Sequence, residues 1–293
     1  VRRTDLGLFG PDSVTWQLHA DPALLLGGIR SLYLQALHPR AVAAVVQNSD
    51  FRTDPFGRLM RTAAFVGIST YGTETEAHAA AERVRRVHSR LKATDPETGE
   101  VYPLDDPELL LWVHCAEVAS FLSTARRAGY PLRKHHADRY LREQRVSASL
   151  VGLAPDTVPG STEEMTAYLR RIRPALRRTP DSDDIYDFLH RPPLRGRGLA
   201  ALGLRLYEPA IGHVAYSLLP PWATGLHGRR PYPRSATTVA TRALRQAAFR
   251  VRGRIRSAAD FEPPSITAVR RLGAWATPSA DRLPDPLPAA PRP

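Results

Sequence analysis

The stretch that most limits the fold is Pro107 to Arg127, PELLLWVHCAEVASFLSTARR. Asp106, Pro107 and Glu108 stand in the order cap, proline and acid that opens a helix. Gly129 is a natural stop. Between them apolar residues occupy almost every side as far as Phe121, so no side of this helix suits water. It has to be wrapped by other elements, and it should cross the middle of the fold. His114 and Glu117 lie inside it, three residues apart and on one side. Buried together, they either hydrogen-bond each other or belong to the wall of a site.

A second helix is written into Thr73 to Leu91, TETEAHAAAERVRRVHSRL. Thr73 can cap it and Glu76 can reach back, satisfying two backbone donors reciprocally. Ala77, Ala80, Ala81, Val84, Val87 and Leu91 recur at three- and four-residue steps as one apolar stripe. Glu82, Arg83, Arg85, Arg86 and Arg90 take the other side. His88 falls inside the stripe. A polar ring aimed at the core must be paired or bound to something. Core histidines are more often satisfied by hydrogen bonds than by metals, yet His88 is the residue expected here to hold an iron.

Around these two helices the pattern stays helical. Pro22–Leu37 is apolar apart from the pair Gly27-Gly28, which weakens a helix unless the backbone must approach a neighbour closely. Arg40–Gln47 follows the break at His38-Pro39. Pro55–Tyr71 carries Arg58, Arg61, Thr62 and Ser69 on a shared face. Capped or periodic segments also cover Ser161–Arg178, Asp183–His190, Leu199–Leu219 and Ala236–Ala259. Only Val101-Tyr102 reads as extended, so the expected fold class is all-α. Residues 1–20 are expected to form an N-terminal arm or short helix anchored by Trp16, and 21–262 one helical domain. In 263–293 order is expected to fade, since six of the last sixteen residues are proline.

Composition removes several function classes. No run of about 18 apolar residues offers a spanning helix, and no apolar signal core opens the chain. A cytoplasmic protein is expected, although the missing initiator Met leaves room for an upstream segment. One cysteine, Cys115, excludes an internal disulfide framework and a cysteine-rich metal site. The net charge of +12 suggests nucleic acid, but the arginines are scattered over nearly every helix without interleaved aromatics, and no nucleic-acid partner is expected. There is no nucleophile elbow, Walker loop or dinucleotide fingerprint. His135-His136 with Asp138 reads as solvated surface. A di-iron bundle needs paired Glu-x-x-His motifs, whereas His114-x-x-Glu117 is reversed and single. Haem needs one axial histidine, a dry pocket and cations for its propionates, and the chain offers candidates for each.

Four blocks in order, LLLGGIRSLYLQALHP, SDFRTDPFGRLMRT, VRRVH and YPLDDPELLLWVH, resemble the rubber-oxygenase catalytic-domain family, from about Leu24 to Trp222. The resemblance implies a globin-like helical core around haem b, and dioxygen chemistry on isoprenoid or other apolar small molecules. By position, His88 is similar to the proximal iron ligand, and Arg58 and Thr62 to residues of the haem pocket. Arg61 stands where latex-clearing proteins carry a lysine able to cover the distal face, and a guanidinium is a poor iron ligand. The stretch HPRAVAAVVQNSDF holds no clear counterpart of the glutamate proposed as base in rubber cleavage. The expected roles follow. His88 binds the iron; Arg58 and Arg61 neutralise propionates or steady bound oxygen; His38, Thr62 and His114 supply orienting hydrogen bonds. The alternatives are a haem sensor without turnover and a metal-free helical interaction protein.

Overall fold

The helix expected at the centre is there. In the computed structural model, which describes residues 5–49, 55–192, 207–255 and 263–285, helix α6 runs Pro107–Arg127. The side chains at 55, 56, 58, 59 and 251–255 lie outside that description. The Asp106 carboxylate accepts from the backbone N–H groups of Glu108 and Leu109, which starts α6. Trp112, Cys115, Ala116 and Ala125 are fully buried along it.

The other elements follow the helical pattern. They are α1 (Val14–His19), α2 (Ala23–Gln35), α3 (Pro39–Asn48), α4 (Pro55–Tyr71) and α5 (Glu74–His88). A two-stranded antiparallel hairpin, β1 (Lys92–Thr94) and β2 (Val101–Pro103), sets Ala93 opposite Tyr102 before α6. Then come α7 (Lys134–Leu150), α8 (Thr162–Ile172) and α9 (Pro180–His190). A π-helical turn, Glu208–Gly212, leads into α10 (His213–Ser217), followed by α11 (Pro221–His227), α12 (Arg234–Ile255) and α13 (Pro264–Leu272). The fold is all-α, with that hairpin the only sheet among the described residues.

The principal neighbour of α6 is α2, and Gly27 lets them close. A Cβ there would lie 3.0 Å from Cδ1 and 3.3 Å from Cα of Phe121. Helix propensity alone would favour any larger residue at this position. Gly27→Val is nevertheless expected to destabilise the protein by about 1–3 kcal/mol through overpacking, measured as a lower midpoint in urea unfolding.

The first and last described segments, 5–20 and 263–285, both pack against the body. In α1, Val14, Trp16 and Leu18 are fully buried, and the Glu143 carboxylate of α7 accepts from the backbone N–H groups of Val14 and Thr15. Beyond 263 the described residues continue as α13. Ala268 and Leu272 of α13, with Ala276, pack against Trp16 and Tyr71, and the Trp16 indole donates to the Ala276 carbonyl at 2.9 Å. Small residues filling the space under a tryptophan escape a composition argument dominated by proline. His136 is also no solvated residue: it is buried, and its Nδ1 accepts from the Arg133 N–H at the start of α7. Of the expected helix 199–219, residues 199–206 lie outside the description.

Candidate active site

Helix α5 forms as its ends dictate. Thr73 Oγ1 accepts from the Glu76 N–H, and the Glu76 carboxylate accepts from the Thr73 N–H. Ala77, Ala80 and Ala81 are buried, while Glu82, Arg83, Arg85, Arg86 and Arg90 are exposed. Val87, expected in the apolar stripe, is half exposed at 50%. The helix ends one residue later, so its last turn is covered on one side only.

His88 is the final residue of α5 and is half-buried. Its Nδ1 is shut off from solvent and has no hydrogen-bond partner among the described residues. Burial lowers its pKa, and the nearby Asp105 carboxylate opposes that shift without reversing it. The ring is therefore neutral at pH 7 and keeps a lone pair for donation.

On α4, Arg61, Thr62 and Ala63 are all exposed, so this part of the helix has no cover on those sides. Arg61 and Thr62 each have an interaction partner. The side chain of Arg58 lies outside the described residues, though its position falls one turn before Thr62 on the same continuous helix. Towards the C-terminus α4 becomes buried, and Ser69 presents a buried hydroxyl without a hydrogen-bond partner among the described residues.

Helix α6 carries two further candidates. His114 and Glu117 sit about 60° apart on one side of it, with Phe121 one turn further on. No hydrogen bond joins them, nor does either side chain have a partner among the described residues, so the first of the two sequence alternatives does not hold. Both side chains are half-buried. Burial alone lowers the His114 pKa to about 4 and raises that of Glu117 to about 7.

His38 is placed elsewhere. It caps α3, its Nδ1 accepting from the Ala41 N–H, and its ring lies 6.2 Å from that of Trp112. Trp112 projects about 160° around α6 from His114, so His38 and His114 occupy different sides of the central helix. A groove of about 410 Å³ lined by Ala119, Ser123 and Arg126 of α6 with Met165 and Thr166 of α8 also lies away from His114 and Glu117, and holds none of the candidate residues.

Two polar clusters were not read from the sequence. His19 of α1 joins Thr70 of α4 to Tyr140 of α7, through Nδ1 at 2.8 Å and Nε2 at 3.0 Å. Elsewhere His190 meets the Tyr33 hydroxyl at 2.8 Å and His213 Nδ1 at 2.8 Å, with Tyr186 stacked 4.3 Å from it. Tyr186 and His190 are one turn apart on α9, a signal available locally. His213 arrives from 23 residues downstream, and no local rule announces it.

With this geometry in view, comparison with known families is decisive. The model of the ER-bound oxygenase mpaB/B′/rubber oxygenase catalytic domain matches residues 16–252. The chain belongs to that family. The match spans the four sequence blocks and bears out the resemblance they carry. No individually curated protein and no solved structure matches the chain. Family membership makes it oxygenase-like, and directs attention to small-molecule chemistry with dioxygen. No helix among the described residues is long and apolar enough to cross a membrane. Nor do the described residues contain three or more His, Cys, Asp or Glu side chains grouped to hold a metal ion.

Proposed function

We propose that the chain is a haem b-dependent oxygenase of an apolar small molecule, possessing His88 as the axial iron ligand. The observation that carries this reading is the His88 imidazole itself: neutral, half-buried, and with a buried nitrogen that has no hydrogen-bond partner among the described residues, in a chain of an oxygenase family. Leaving a buried polar atom unbonded costs about 1–3 kcal/mol, and an axial bond from the ring would give the imidazole a partner. Haem also suits a site without clustered metal ligands, because the porphyrin supplies four of the iron's nitrogens.

When bound, haem supplies the activation of dioxygen. The protein's part is position and dryness. His88, its ring neutral, is the residue that would hold the iron. Arg61, and Arg58 three residues earlier on α4, would supply positive charge for the propionates, and Thr62 a hydroxyl. His114, neutral at working pH, is a hydrogen-bonding group without a partner among the described residues. Phe121 and the half-buried apolar residues Ala64, Phe65, Val66 and Ile68 of α4 favour an apolar substrate, for which isoprenoid alkenes are the first class to test.

Purified protein titrated with haemin should develop a Soret band at one haem per chain. With the haem reduced, it should consume oxygen when a short isoprenoid alkene is added. A Soret band without oxygen uptake from any apolar alkene would make the chain a haem-binding protein without turnover. Protein that stays colourless and iron-free after haemin would remove haem from the reading altogether.

A further inference from the structure

Nine of the chain's 41 basic residues fall within residues 229–259, all of them arginines, and no acidic residue interrupts them. The remaining 32 basic residues are nearly balanced by the 29 acidic ones, so this stretch carries most of the net charge of +12. Helix α12 is its body. Two of the nine are neutralised within the protein, Arg229 by Asp183 and Asp187, and Arg245 by Asp21. Arg234, Arg242 and Arg250 are exposed and form no ion pair among the described residues. The end of α6 adds to the excess. Arg127 donates from Nη2 to the Arg234 carbonyl at 2.8 Å and from Nε to Thr238 Oγ1 at 2.7 Å. Arg242 Nε lies 3.6 Å from where a Cβ on Gly129 would stand. Like charges gathered without a counter-charge attract an anionic partner.

The same face is apolar between its arginines, unlike the outer side of an ordinary surface helix. Val239 is 67% exposed and Phe249 42%. With Val239 taken as the centre, Arg242, Ala243, Gln246, Phe249 and Arg250 lie within about 80° of it around the helix, and all are exposed. The side turned to the body packs Ala240 and Leu244 on the core, and it buries Thr237 and Thr241. Their hydroxyls donate to the carbonyls of Pro233 and Thr237, one turn back, at 3.0 and 2.7 Å. Phe249 is braced from within the protein. Its ring lies 5.1 Å from the Arg245 guanidinium, which Asp21 fixes in turn. Leu25, 57% exposed, stands one turn beyond Asp21 on α2.

We propose that the outer face of α12 docks the protein onto a membrane surface rich in anionic phospholipid. Arg234, Arg242 and Arg250 pair with lipid phosphates, their stems running along apolar surface. Val239 and Phe249 enter the boundary between headgroups and acyl chains. The helix has 22 residues and, like every described helix, is not apolar enough to cross a bilayer, so it lies along the surface. Duplex nucleic acid would satisfy the arginines but leave Val239 and Phe249 in water. A second copy of this chain would set like charge against like charge. A bilayer meets both the cations and the apolar side chains between them. Docking there suits the apolar substrate proposed above, which concentrates in lipid, but it goes beyond that reading and requires no haem.

The test pellets the full chain, without haem, with vesicles of phosphatidylcholine alone or with about a third phosphatidylserine. Binding is expected only with phosphatidylserine, and should weaken as salt rises above about 0.1 M. Each arginine at such a surface contributes about fivefold in affinity. Arg234→Gln, Arg242→Gln and Arg250→Gln together should therefore weaken binding about 100-fold. Arg83→Gln, Arg86→Gln and Arg170→Gln remove the same charge from exposed positions on α5 and α8, and should change it by no more than about twofold. Phe249→Ser keeps every charge and should cost about tenfold. The one cysteine, Cys115, is buried, so Val239→Cys can carry an environment-sensitive dye, whose emission should shift to the blue on phosphatidylserine vesicles. All the substituted side chains are exposed, and an unchanged far-ultraviolet dichroism checks the fold. Failure to pellet with phosphatidylserine at about 0.1 M salt overturns the proposal, as do equal losses from the two arginine triples. So does a dye that stays in water while the protein binds. Retention on duplex DNA, with vesicle binding unchanged by Phe249→Ser, would overturn it in favour of a nucleic-acid site. Every readout is taken without haem, so failure here and failure of the haem reading are told apart.

Discussion

Replacing His88 by alanine is expected to abolish the Soret band of haemin-treated protein while leaving the fold in place. Through Nδ1 the ring makes no hydrogen bond among the described residues that the fold would miss. It occupies the last position of α5, where alanine is a good helix former, so the change in stability should stay within about 1 kcal/mol. Removing a group that merely supports a metal ligand costs about 10–100-fold in metal affinity, and removing the ligand itself should exceed that. Far-ultraviolet dichroism and the melting temperature report the fold, and absorbance titration with haemin reports the site. Added imidazole should restore the band, because the deleted side chain leaves space of its own shape. A variant that binds haemin with the wild-type spectrum would reject His88 as the ligand.

The largest effect on stability is expected at Asp21. Its carboxylate accepts from Nε and Nη2 of Arg245 at 2.7–3.0 Å and from the Ala23 N–H. The two side chains are only 3% and 13% exposed. The pair fastens α12 to the start of α2, the helix on which α6 lies. Asp21→Ala would strand a desolvated guanidinium and should cost about 3–5 kcal/mol, seen as a lower denaturant midpoint. Replacing both partners by leucine should recover most of that loss, since neither charge then remains to be desolvated. A single substitution costing under about 1 kcal/mol would mean that water reaches the pair.

How far the sequence carried can be judged residue by residue. The limits of α5 and α6 were legible because a capping box, a cap–proline–acid start and a 3.6-residue period are all set within one or two turns. The family was legible for a related reason, its four blocks being contiguous strings. The burial of α13 was not, since it depends on Trp16, some 250 residues earlier, offering a surface for Ala268, Leu272 and Ala276. Val87 belonged to an apolar stripe on paper, but a stripe says nothing about whether a neighbour reaches the final turn.

By itself the sequence determined the helices, their caps, the family and the set of chemically capable side chains, because each depends on interactions between near neighbours along the chain. Tertiary structure alone decided which of those side chains share a wall. It moved His38 to another side of α6, left His114 and Glu117 half-buried and without side-chain partners among the described residues, and closed Thr70, His19 and Tyr140 into one chain of hydrogen bonds. Desolvation and pairing depend on the direction from which another element arrives, a quantity that no local pattern of residues encodes.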